Sequence, residues 1–99
     1  MTVYVLAQLS FTHRPTYNHY RDRFMDVLRR FEGRLLVADE HPQVIEGQWH
    51  SEKVVLFSFA DENAFRKFYD APEYQAIAKD RHRGAETVAL LVKGVTEEK

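Results

Sequence analysis

Cysteine is missing from all 99 residues, which removes thiol nucleophiles, disulfides, iron–sulfur clusters and thiolate zinc sites together. Neither sign of charge prevails. Fourteen Lys and Arg stand against 15 Asp and Glu, for a formal charge of -1, so no broad basic field exists to gather phosphate backbones. Nucleic acid is therefore not an expected partner. No apolar run approaches the roughly 20 residues that a membrane-spanning helix requires, and no membrane partner is expected either. The opening MTVYVLAQLS has no basic n-region, and Gln8 interrupts its short apolar run, so a cytoplasmic location is the default expectation. Linkers, internal repeats and low-complexity tracts are absent too. One domain over residues 1–95 is expected, with the tail TEEK, residues 96–99, expected to be disordered.

What remains is a chain of clearly patterned segments. Val3 to Leu9 is β-branched and apolar and predicts a strand. From Pro15, the residues Tyr17, Tyr20, Phe24, Val27, Leu28 and Phe31 recur at steps of three and four, an amphipathic helix for which Gly33 is the expected C-terminal stop. Arg34 to Ala38 and Lys53 to Ala60 are strand-like. The long connection between them has room for a short extra strand at Val44 and Ile45. Asp61 suits the cap of a second helix with Phe65, Phe68 and Tyr69 on its apolar face. Asp70 and Glu73 flank Pro72 at the spacing of a capping box that restarts this helix toward Arg83. Thr87 to Lys93 is the last strand.

The order β-α-β-β-α-β is the split βαβ pattern of α+β ferredoxin-like domains: a four-stranded antiparallel sheet with two helices on one face. The last two strands are apolar at both parities. Val55, Phe57 and Phe59 alternate with Val54, Leu56 and Ser58, and Val88, Leu90 and Val92 alternate with Thr87, Ala89 and Leu91. A sheet with one wet face would not read this way. The simplest cover for the second face is another copy of the chain, so a homodimer built sheet to sheet is expected.

One residue breaks the pattern of the second helix. Tyr74, Ile77, Ala78 and Arg81 share a single stripe, which places a permanently charged guanidinium on a core-facing position. It either holds an anionic ligand by parallel hydrogen bonds or serves the scaffold, paired with Glu86 or with a carboxylate of a second subunit. Arg34 shares strand parity with Leu36 and Ala38, and it either points inward or, at the strand's start, reaches solvent. The tyrosines at 17, 20, 69 and 74 lie on core-seeking faces, where their hydroxyls need partners. His13 stands where the first strand hands over to the first helix, a position for a proton carrier or for an ordinary loop histidine. Glu46 and Trp49, in VIEGQWH, are candidates for a general base and an interface anchor. His82, about 100° around the helix from Arg81, is expected to be solvated. The five histidines form no HExxH or other helical pair, so neither a metal site nor a cofactor is expected.

In its Gly33–Arg34 pair, IEGQW at Ile45 to Trp49, LFSFADENAFRKFYDAPEYQAI at Leu56 to Ile77, Arg81 and the closing LLVKG, the chain resembles the family catalogued as domain of unknown function 1330. The resemblance implies the dimeric α/β-barrel superfamily, which also holds cofactor-independent monooxygenases, lactone isomerases, haem-dependent chlorite dismutases and ligand-sensing domains. It strengthens Tyr20, Arg34, Glu46, Trp49, Tyr74 and Arg81 as site candidates. Two positions depart from the family pattern: Ala71 replaces a serine or asparagine before the proline, and His13–Arg14 replaces a common Asp-Pro pair. Haem is disfavoured, because no histidine falls on an inward helix position.

The expectation is thus a protein that binds a small anionic or enolisable metabolite near a dimer interface. Arg81 and Arg34 would hold the ligand, Tyr20, Tyr74 and Trp49 would wall it, and Glu46 or His13 would move a proton if chemistry occurs. The rival is a non-catalytic dimerisation or interaction module.

Overall fold

The computed structural model describes residues 1–95, and the expectation of a disordered tail lies outside the described residues. The elements are β1 (Val3–Phe11), α1 (Arg14–Arg30), β2 (Arg34–Asp39), β3 (Lys53–Phe59), α2 (Glu62–Asp70), α3 (Pro72–Gly84) and β4 (Ala85–Lys93). They form an antiparallel sheet in the order β2-β3-β1-β4, with the helices on one face. The expected ferredoxin-like architecture is present, with three helices rather than two. The extra break falls at Ala71, which is extended (φ -65°, ψ 139°) because the residue before a proline is pushed out of the helical region. Asp70 and Glu73 do not form the expected capping box: no side chain caps α3. Instead the Gln75 side-chain amide donates to the Tyr69 carbonyl at 2.6 Å, stitching the two helices across the break.

Two further expectations are corrected. Val44 and Ile45 form no strand and are largely exposed. The left-handed residue that ends α1 is Glu32 (φ 62°) rather than Gly33. The amides of Glu32 and Gly33 reach back to the carbonyls of Arg29 and Leu28, a Schellman closure with a non-glycine residue in its left-handed position. Gly33 is needed for space: a Cβ there would meet Leu28 Cδ1 at 2.3 Å and Phe59 Cε1 at 2.8 Å.

The core lies between helices and sheet. Val3, Val5, Ala7 and Leu9 from β1 and Phe57 and Phe59 from β3 meet an aromatic cluster centred on Phe68, which is fully buried. The rings of Phe24, Phe31, Phe57, Phe59 and Tyr74 surround Phe68 with centroids 4.3 to 6.3 Å away, the range of favourable tilted and edge contacts. The outer face of the sheet has no layer above it. It carries Tyr4, Leu6, Val54, Leu56, Val88, Leu90 and Val92, and Leu6 is flanked in register by Leu56 and Leu90, a leucine row across three strands.

Candidate functional site

The last turn of α3 is pressed against the first turn of α1, because Gly84 has no side chain to hold them apart. A Cβ there would meet the Tyr17 amide nitrogen at 2.4 Å. The Gly84 carbonyl accepts from the amides of Thr12 and His13 at 2.9 and 3.1 Å. This close approach turns Arg81 into the interior, where it is 9% exposed. Its guanidinium lies over the Tyr20 ring, 5.6 Å from the centroid, and the Tyr20 and Tyr74 hydroxyls share a hydrogen bond of 3.0 Å. Among the described residues no carboxylate lies within ion-pair distance of Arg81, and the pairing with Glu86 is not made.

The electrostatics follow from this burial. Desolvation pushes the Tyr20 phenol well above its ordinary pKa, with Tyr74 adding to the effect and Arg81 opposing it. For Arg81, burial works against the charge, but the Tyr74 and Tyr20 phenols beside it outweigh that and leave its pKa raised. The guanidinium is a fixed positive charge among aromatic rings.

A second cation stands across the sheet. Lys53 opens β3 on the same face as Val55, Phe57 and Phe59 and is 5% exposed. Its Nζ lies 5.1 Å from the Tyr17 ring centroid and 3.8 Å from Glu40 Oε2. Burial lowers the Lys53 pKa, with Glu40 pulling the other way. Glu40 itself is gripped through both oxygens by the Arg14 guanidinium, and this hydrogen bonding holds its carboxyl below the usual value of 4.5. Burial pushes the neighbouring Tyr17 phenol up to about 12.

Glu40 yields a pH prediction. A carboxylate with a lowered folded pKa contributes stability that is fully present above its unfolded pKa and lost as pH falls through the folded value. Glu40→Gln should therefore flatten the acid limb of stability by a few tenths to about 1 kcal/mol, since the pair is partly exposed. Urea unfolding between about pH 6 and pH 3 would measure this; an unchanged acid limb would refute it.

Around these two cations the helices and sheet form a half-open cavity of about 840 Å³. Its walls are mostly apolar, from Val5, Ala7, Phe24, Val55, Leu91 and their neighbours. The charged groups on its lining are Arg21, Lys53, Arg66 and Arg81 against a single acid, Glu86, among the described residues. A chain of net charge -1 thus places an excess of positive charge around its cavity. Thr87 Oγ1, on β4, is buried with no hydrogen-bond partner. An apolar chamber with a few convergent polar groups is the form of a small-molecule site.

The family described as Domain of unknown function (DUF1330) matches residues 2–95. The chain belongs to this family. No curated protein matches the DUF1330 chain. Among solved structures, it is similar to a protein of unknown function from Rhodopseudomonas palustris, with a TM-score of 0.81 and 16% identity, covering 97% of this chain and 84% of that one. It is also similar to SnoaB, a cofactor-independent oxygenase from Streptomyces nogalater, with a TM-score of 0.70 and 13% identity, covering 97% of this chain and 95% of that one. A dimeric protein of unknown function with a ferredoxin-like fold from Bacteroides fragilis follows, with a TM-score of 0.65 and 9% identity over 94% of this chain and 96% of that one. At such identities the likeness carries the fold alone.

In the DUF1330 chain, three of the expected ligand-binding residues come together, Tyr20, Tyr74 and Arg81, with Tyr17 and Tyr69 packed beside the two tyrosines. The others do not join them. A β-bulge between Leu35 and Val37 breaks the parity of β2, so Arg34, paired with Ser58, is exposed on the outer face while Ala38, paired with Val55, lies on the helix side. Trp49 also lies toward the outer face, where its Nε1 donates to Gln8 Oε1 at 3.2 Å. Glu46 is exposed in the long loop. His13 is the cap of α1: its Nδ1 accepts from the Thr16 amide at 3.4 Å and lies 2.7 Å from Thr16 Oγ1. His82 is exposed as expected, though it forms part of the cavity rim. Burial and the Arg81 charge lower its pKa. Lys53 was missed by sequence reasoning, yet it carries a signal: it shares the parity of Val55, Phe57 and Phe59, which requires its stem to enter the core.

Proposed function

We propose that this DUF1330 protein binds a small anionic or enolisable metabolite in the chamber between its helices and sheet, acting as a homodimer. Arg81 is the principal anchor. The observation that carries the reading is a guanidinium inside an apolar chamber with no carboxylate beside it among the described residues. A buried charge is costly unless something compensates it, and an incoming carboxylate, phosphate or enolate oxygen would do so through two parallel hydrogen bonds. The same contact would stabilise negative charge developing on a substrate oxygen, which is how a site without cofactor assists proton abstraction next to a carbonyl. That SnoaB, a cofactor-independent oxygenase, shares the fold supports a catalytic version of this reading. The apolar outer face of the sheet supports the dimer. Arg34 and Trp49, which lie toward that face, then act at the interface and not in the chamber of their own chain.

A mixed library of small carboxylates and 1,3-dicarbonyl compounds tests the proposal by thermal shift and crystal soaking. The expected result is a raised melting temperature and ligand density against Arg81. No shift and no density with any compound would instead favour a dimerisation module in which these groups are structural.

A further inference from the structure

The chamber has two buried cations rather than one, each over a different tyrosine of its lining. Arg81 lies in the last turn of α3, which runs directly into β4, whereas Lys53 opens β3. Leu9 of β1 lies in register with Lys53 on one side and Thr87 of β4 on the other, so the Lys53 and Thr87 backbones are separated by two strand spacings, roughly 10 Å. The wall joining them is aromatic: Lys53 Nζ over Tyr17, Tyr17 5.8 Å from Tyr20, and Arg81 over Tyr20. Neither cation has a close carboxylate of its own among the described residues. Among the described residues Arg81 has no carboxylate, and Lys53 has only the 3.8 Å contact of a Glu40 already held twice by Arg14. The orphaned Thr87 hydroxyl adds a hydrogen-bond donor on the β4 side.

We infer that the ligand of this chamber is dianionic, with two acid groups at opposite ends of an apolar body, one held by Arg81 and the other by Lys53. This deepens the proposed function and rests on it. A monoacid small enough to sit on Arg81 alone would leave Lys53 with only its long contact to Glu40 and most of the 840 Å³ unfilled. A diacid of matched length compensates both charges and lays its body along the tyrosine wall. Dicarboxylates and carboxylate–phosphate compounds share this chemistry.

The test is isothermal titration of the α,ω-dicarboxylates from adipate to sebacate, each beside the monocarboxylate of the same chain length. At one length or more, the diacid should bind the wild-type protein at least about tenfold tighter than its monoacid. In Lys53→Met that advantage should vanish while monoacid binding stays; Lys53→Gln provides the same comparison if the methionine variant folds poorly. Diacids no tighter than monoacids at every length would overturn the inference and leave the Arg81 reading standing. Equal weakening of both kinds by either Lys53 variant would also overturn it. Failure of every acid to bind the wild type would remove both readings together, and the wild-type comparison requires no variant at all.

Discussion

Arg81→Leu is expected to leave the fold intact, to keep or raise the unfolding free energy by about 1 kcal/mol, and to weaken binding of a carboxylate at least about 100-fold, or roughly 2.7 kcal/mol. The stability half rests on competing magnitudes. Desolvating a cation costs several kcal/mol in a real protein interior. What Arg81 receives in return is the face of Tyr20, worth about 0.5 to 2 kcal/mol, and the polar edges of two phenols. Leucine would continue the apolar stripe of Tyr74, Ile77 and Ala78, all buried, and the Tyr20–Tyr74 hydrogen bond would keep both hydroxyls partnered. The binding half follows because the charge removed is the one that faces the ligand. Denaturant unfolding and titration on the same preparation measure both. A loss on the order of 3 kcal/mol of stability would instead mark Arg81 as one half of a scaffold pair, and the chamber would lose its main anchor.

The architecture was legible because most of it is written in periodicity. The three- and four-residue steps of Tyr17, Tyr20, Phe24, Val27 and Leu28 require one buried stripe on α1, and those five residues are the buried ones. The two-sided apolar strands pointed to an uncovered outer face, and that face is present. Arg81 was conspicuous for the same reason, as a charge at a periodic position. What the pattern concealed were the places where the backbone departs from regularity. A bulge at Leu36 moves Arg34 to the opposite face from Ala38, and no count of alternating residues reveals an inserted one. Pro72 was legible as the place where the second helix restarts, whereas the lack of a side-chain cap there and the full division into α2 and α3, with Ala71 extended before the proline ring, were not. Lys53 was overlooked for a different reason. A lysine at the start of a strand is ordinarily solvated, and only the tertiary placement of Glu40 and the Tyr17 ring beside it makes burial tolerable, against the like charge of Arg14.

Val88→Asp tests the assembly, and it should convert a dimer into a folded monomer. Val88 is 61% exposed on the outer face, paired in register with Gln8, to which Trp49 is hydrogen-bonded. In an isolated chain a carboxylate there remains in water and costs little. Between two stacked sheets it would be stripped of water among valines and leucines, and two-fold symmetry places the same charge on both partners, so each dimer bears the cost twice. Sedimentation across a range of concentrations should show the dissociation constant rising at least about 100-fold, with thermal unfolding of the monomer close to that of the dissociated wild type. A wild-type chain that is monomeric at micromolar concentration, or a variant that dimerises as tightly as the wild type, would refute sheet-to-sheet pairing. The same variant separates assembly from binding. Val88 does not line the chamber, but the rim reaches Glu86 and Leu90 at the edge strand, beside the surface at which two copies would meet. Because Arg81, Tyr20, Tyr74 and Lys53 all come from one chain, carboxylate binding should survive dissociation within about threefold; a greater loss would mean that the second copy completes the wall left open along β4.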